Sequence, residues 1–284
     1  MDMKVKLLTF IMAILCVSPR LIAGEPTDSA YESNPYFILM GEADRAIADR
    51  DWNEAAARLI DVLTVDPHNP SNALVYYDLG MCYSYMDSDS LALDNYDRSL
   101  AIAPNMVMSL LGKGQALLRM KRDYEAYDVF SRAIEVDSVS TEARYYHGMM
   151  ALYGGSREIA ERDFAVLERM APHSTDTAIA LSTLYSLTGR DREAIPYLKR
   201  LVADEPSPEY YSALAGCYLE IGDLTEASAI IAEGLHRYPS DPELYYYRAR
   251  LNRDRYRHDD ARADAARAIE LGASPARVND LFSK

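Results

Sequence analysis

The stretch PEYYSALAGCYLEIGDLTEASAIIAEGLHRYP, residues 208–239, decides the fold. Its apolar residues recur at helical spacing, Gly222-Asp223 interrupts the run midway, and Pro239 ends it. Two helices are therefore predicted, over 210–221 and 224–238. A glycine free to take positive φ closes the first. A proline, which cannot continue a helix, closes the second.

Two alanines of this stretch lead to the rest of the chain. Ala227 belongs to the series Ala55, Ala92, Ala126, Ala160, Ala194, Ala227 and Ala261, with steps of 37, 34, 34, 34, 33 and 34 residues. Ala215 belongs to a second series twelve residues ahead, Ala43, Gly80, Gly114, Gly148, Ser182, Ala215 and Ala249, in which every member is small. A fixed period in this range marks an array of repeats. Small side chains recur where two helices must approach closely. Repeats begin near 36, 73, 107, 141, 175, 208 and 242. Gly155, Gly189 and Gly222 share one within-repeat turn, and Pro67, Pro104, Pro172, Pro206 and Pro239 share the place after the second helix. Three extra residues between Pro67 and Ala73 account for the 37-residue step.

The residues at fixed places in the repeat make a pattern. Repeat two carries Tyr76, Leu79-Gly80, Tyr83, Ala92, Tyr96 and Pro104; repeat three carries Gly114, Ala126, Phe130 and Ala133. Repeat six carries Ala215, Tyr218, Gly222-Asp223, Ala227 and Pro239, and repeat seven opens Asp241-Pro242-Glu243-Leu244-Tyr245. This resembles the tetratricopeptide repeat over residues 36–273. Ser138 and Ala273 depart from it in place of the terminal proline, and Ser99 and Gly234 in place of a small alanine. The resemblance implies an all-α fold, a solenoid of seven helix-turn-helix repeats in a right-handed superhelix, its first helices lining a concave groove. Residues 274–284 are predicted to form a C-terminal capping helix. Ser274 suits the N-cap and Pro275 the first helical position, and Val278, Leu281 and Phe282 then share one face that can cover repeat seven.

The array does not include the start of the chain. Lys4 and Lys6 precede an apolar run over 7–17, Ser18-Pro19-Arg20 break it, and Leu21-Ile22-Ala23-Gly24 offers small residues for cleavage. Residues 1–24 read as a secretory signal peptide, shorter than the ~20 apolar residues that span a bilayer. Residues 25–35 read as a polar leader. The chain is expected to be exported, to the periplasm of a Gram-negative source or along the secretory route otherwise, with membrane contact only if the signal is retained. Cys82 and Cys217, which remain, read as small core hydrophobes.

Charge and motif content exclude several functions. The 284 residues carry a formal charge of −14, so no basic footprint is offered to nucleic acid. None of the five histidines forms an H-E-x-x-H pair. Gly112-Lys113-Gly114 begins like a nucleotide fingerprint but has Leu117 where the last glycine belongs, and it falls within a predicted helix. Asp87-Ser88-Asp89-Ser90 starts like a calcium loop yet places Arg98 where a bidentate Glu is required. No cofactor, metal or catalytic set is expected, and the chain reads as a non-enzyme.

What remains is a stripe on the first helices beside the packing stripe, ~100° around. Repeat two offers Tyr77, Met81 and Tyr85; repeat three offers Met108, Leu111 and Gln115; repeat four offers Tyr145, Met149 and Tyr153. Tyr and Met are amphipathic and adaptable contact residues, so these nine form the candidate partner-binding face. Packing of first helix on first helix is the alternative use of the same stripe. The groove positions hold the acids Asp44, Asp78, Glu142, Asp176, Glu209, Glu220, Glu243 and Asp254 against the bases Arg119, Arg250 and Arg253. Co-chaperones of the family clamp a C-terminal carboxylate with Lys and Asn. Here the matching places hold Tyr77/Met81, Leu111/Gln115 and Tyr145/Met149, which argues against that ligand. The expected function is a protein-interaction scaffold that binds a neutral or basic segment in the groove. The alternative is a binder of a non-protein ligand such as a glycan, stacked on the tyrosines. Against this, the one Trp, Trp52, is placed in a within-repeat turn.

The small series carries its own test. Ala126→Leu should overpack repeat three and destabilise the protein by ~1–3 kcal/mol; an unchanged denaturation midpoint would show that the repeat phase is wrong.

Overall fold

The structure is a computed structural model and describes residues 33–283. The expected signal peptide and the leader up to residue 32 lie outside the described residues. Fifteen helices and no strands occur among them. They run α1 Pro35–Ala48, α2 Trp52–Val65, α3 Asn72–Tyr85, α4 Asp89–Ile102, α5 Val107–Arg119, α6 Asp123–Val136, α7 Thr141–Tyr153 and α8 Arg157–Met170. Then follow α9 Thr175–Leu187, α10 Asp191–Asp204, α11 Pro208–Glu220, α12 Leu224–Arg237, α13 Pro242–Asp254, α14 His258–Glu270 and α15 Pro275–Asp280. The chain forms two compact units, one ending at Met120 and one starting at Lys121. Within each, consecutive helices pack, and first helices also pack on the next first helix, as α3 on α5, α7 on α9 and α11 on α13. The third predicted repeat is divided, with α5 in the first unit and α6 in the second.

The ends of the helices follow from side-chain chemistry. Asn34, Asp51, Ser140, Ser174, Ser207, Asp223 and Asp241 each accept a backbone N–H of the first turn, which satisfies one orphan donor. The within-repeat turn needs one residue at positive φ. Gly155, Gly189 and Gly222 supply it, and Arg50, Asp87, Lys121 and Tyr256 adopt it at φ 54–61°. Those four stand at the same place in the period, so packing imposes the left-handed turn even where the residue resists it. Trp52 is not in the turn, as the sequence reading had it. It opens α2 behind the Asp51 cap.

Within each unit the core rests on size matches between packed helices. The Tyr96 ring lies so close to Gly80 of α3 and Gly112 of α5 that a Cβ there would meet it at 2.6 and 2.5 Å. Gly148 faces Phe164 in the same way, at 2.5 Å. Where the small residue is alanine the opposing side chain shrinks: Ala43 shares a buried cluster with Leu59, and Ala215 with Ile231. The departures from the repeat pattern fit their surroundings. The Ser99 hydroxyl lies 2.6 Å from the Ala73 carbonyl and 2.7 Å from the Ser109 hydroxyl, joining α3, α4 and α5. A Cβ on Gly234 would press on Leu244 and Tyr211. Cys82 and Cys217 are buried free thiols, as small core hydrophobes should be.

The short α15 covers α13 and α14 with Val278 and Leu281, which join Ala249, Ala265 and Ala268 in one cluster. Arg277 donates to Glu243 at 2.6 Å and Arg253 to the Leu281 carbonyl at 3.1 Å. Phe282 does not join that face, contrary to the expectation. The helix stops at Asp280 and the chain turns, leaving Phe282 39% exposed.

Gly148→Ala should cost ~1–3 kcal/mol, because overpacking against Phe164 outweighs the ~1 kcal/mol that alanine gains in helix propensity. Adding Phe164→Leu should cost less than the two single losses summed. Urea midpoints of the three variants check the size match.

Candidate functional site

The nine predicted site residues divide between the units. The first holds Tyr77, Met81 and Tyr85 on α3 and Met108, Leu111 and Gln115 on α5. The second holds Tyr145, Met149 and Tyr153 on α7. All but two are half-buried. Tyr77 packs against the cluster of Ala92, Tyr96 and Ala116, its ring 6.1 Å from that of Tyr96. Tyr145 and Met149 pack against Phe164, Leu181 and Leu184. Burial, the Asp176 carboxylate and the neighbouring tyrosines 146, 210 and 153 push the Tyr145 hydroxyl up to about 12. The front of the stripe is thus partly spent on packing. Its last turn is open: Tyr85 is 62% exposed and Tyr153 70%. Tyr85 lies flat on Trp52, with centroids 4.3 Å apart and planes within 9°. No sequence signal separated these end-of-helix tyrosines from the others, because the distinction is one of neighbours.

One further residue joins this face. Asp78 follows Tyr77 on α3 and is 8% exposed, and no hydrogen bond or ion pair reaches its carboxyl among the described residues. Burial and the charge of Asp44 on α1 push it up to about 8. Burial likewise raises Asp44. Cys82, one turn on, is pushed up to about 12 by burial and by Asp78, which leaves the thiol unreactive. Arg119, a predicted groove base, is already held, donating to Asp89 at 2.7 Å and to the Ser84 hydroxyl at 3.0 Å. Arg250 donates to Glu220 at 2.8 Å.

Other buried carboxylates among the described residues are paired, while the buried Ser212 and Tyr218 hydroxyls on α11 have no hydrogen-bond partner there. Asp163 is buried but accepts from Arg144 at 2.6 Å and contacts His147 Nδ1 at 2.5 Å. A cavity of about 350 Å³ lies between α12, α13 and α14. Its Asp264 is held by Arg248 and Asn252, and its Arg255 by the Leu224 carbonyl. Lys113, in the glycine-flanked triplet, sits mid-helix and pairs with Asp97 at 2.6 Å. Ser88 of the calcium-like turn is the N-cap of α4.

Comparison with known proteins supports the fold. Residues 208–251 match the tetratricopeptide repeat family. The anaphase-promoting complex subunit 7 of Dictyostelium discoideum is 24% identical over 185 residues, which are 53% of this chain and 32% of that protein. The chain thus spans about a third of that relative's length. A solved tetratricopeptide repeat protein from Parabacteroides merdae superposes with a TM-score of 0.63 at 19% identity, covering 87% of this chain and 97% of that one. PilW, a type IV pilus biogenesis factor, superposes with a TM-score of 0.63 at 20% identity, over 74% and 96%. At these identities the likeness is one of fold. The pair α11–α12 and most of α13 lie within the stretch that matches the repeat family, and the other helix pairs share the fold of the solved repeat proteins.

Asp78 makes stability depend on pH. Its unfolded value is about 3.9, so between pH 4 and 8 the unfolded chain has released a proton that the folded chain keeps. Stability therefore falls as pH rises through that window. Asp78→Asn should flatten this slope and raise stability by about 2 kcal/mol or more above pH 8. Urea titrations of both proteins at pH 5, 7 and 9 measure it.

Proposed function

We propose that this tetratricopeptide-repeat chain is a non-enzymatic, exported scaffold that holds a segment of a partner protein against its first helices. Proteins of this repeat fold mediate protein–protein interaction. Two of the proteins it resembles carry names of that kind, a complex subunit and a pilus biogenesis factor. The observation that carries the reading is the open last turn of α3 and α7. There an exposed tyrosine, Tyr85 or Tyr153, ends a stripe of half-buried Tyr and Met. Such rings bury large area at low entropic cost and serve as anchors. The acidic excess along the first helices favours a neutral or basic segment. The charged start, apolar run and small-residue end of residues 1–24 support export. A protein recovered from the cell envelope or medium with its N-terminus near residue 25 would bear that out; one that keeps Met1 in the cytoplasm would end it.

The flat Trp52–Tyr85 pair favours a second reading, a stacking platform for a glycan, although much of the Trp52 ring is covered. A sugar array and a pull-down on the same protein separate the two.

The tyrosines should split into two groups. Tyr85→Ala and Tyr153→Ala should each weaken binding of proteins captured by the wild type by ~1–2 kcal/mol, with melting shifted little for Tyr153. Tyr77→Ala and Tyr145→Ala should lower the melting temperature, because each removes a packed ring. Unchanged affinity in both exposed-tyrosine variants would sink the scaffold face.

A further inference from the structure

We propose that Asp78, backed by Asp44, is a socket in the first unit for one lysine side chain of the partner segment. The inference rests on the reading that the segment lies along α3, and it adds a chemical requirement to it.

Three observations lead there. Asp78 is nine-tenths buried and makes no hydrogen bond or ion pair among the described residues. On α3 it shares a face with Met81, Cys82 and Tyr85, at i+3, i+4 and i+7, and it adjoins Tyr77. It therefore belongs to the candidate stripe and not to the opposite side of the helix. The groups that act on it or feel it offer no compensation. Asp44 of α1 has the same sign, the Cys82 thiol of α3 stays protonated, and Tyr96 of α4 is neutral with a raised hydroxyl. The base that acts on that hydroxyl is Arg119 of α5, which is committed to Asp89 and Ser84.

A buried carboxylate is normally paired, because its lost hydration must be replaced. Asp78 has no such replacement among the described residues, so a cation that arrives with a partner gains the interaction. A metal ion fits poorly. Calcium requires six to eight oxygens, and no group of three or more His, Cys, Asp or Glu that could hold a metal occurs among the described residues. A lysine fits well: a compact ammonium with three donors on a four-carbon stem, able to lay the stem over Tyr77 and Met81 while its head reaches inward. No bond is made or broken. The carboxyl gives its proton to solvent as the ammonium arrives, so binding strengthens as pH rises towards 8 and then levels.

The probe is a pair of pooled octapeptides, acetylated and amidated, with either lysine or norleucine fixed at the fourth position and the other positions randomised without charged residues. Norleucine keeps the stem and removes the charge. The wild-type chain should retain the lysine pool at least tenfold better than the norleucine pool. That preference should grow by up to about tenfold between pH 7 and pH 9. Asp78→Asn, which should fold at least as stably, should retain both pools equally. Retention of peptides with the same lysine preference in wild type and Asp78→Asn, or with none in either, overturns the socket and leaves the scaffold reading standing. Retention of neither pool by either protein overturns both.

Discussion

The close approach of the two helices in each pair is the constraint on which the structure depends. Gly80 and Gly112 admit the Tyr96 ring, and Gly148 admits Phe164, at distances where any Cβ would collide. Interiors of this density have no slack for an added methyl group. At these places the spacing between helices is set by a glycine against a ring. Where the small residue gains a methyl, as at Ala43 or Ala215, the opposing residue loses its ring. The left-handed turn after each first helix follows from the same demand. Within each unit the second helix must return at once to reach its partner, and Arg50, Asp87 and Tyr256 accept positive φ to allow it.

Packing first helix on first helix then decides how much of the candidate stripe is left for a partner. Tyr77 leans on Tyr96, and Tyr145 and Met149 lean on the Phe164 cluster. These residues serve the core with one edge and the surface with the other. At the last turn the neighbouring elements fall away, and Tyr85 and Tyr153 stand in the open. Of the two uses the sequence offers, packing therefore occurs at the earlier turns, and the exposed rings stand at the last turn of the same helices.

Electrostatics separates one residue from its kind. Asp163 and Asp264 are buried carboxylates too, yet Arg144 and His147 hold the first and Arg248 and Asn252 the second. Each is offset where it sits, which is the usual condition for a buried charge. Asp78 has no such offset among the described residues, and the charge that acts on it, Asp44, has its own sign. Its burial costs the fold stability at neutral pH with no ion pair in return among the described residues, and that asymmetry marks it out from Asp163 and Asp264.

The sequence by itself determined the repeat, the helix pairs and nearly every helix end. Period, small residues, caps and prolines are local properties, legible one residue at a time. The two alanine and glycine series placed the close contacts. Tertiary structure alone decided the rest. It turned Phe282 away from its expected face, since a helix of one and a half turns ends before that residue. It put Trp52 on α2 against Tyr85, residues that lie a repeat apart. It divided nine similar stripe residues into packed and open, and it left Asp78 buried without a counter-charge among the described residues. Each of these depends on what a neighbouring helix brings to the same point in space. Helical periodicity gives the face on which a side chain lies, but it does not say what meets it there.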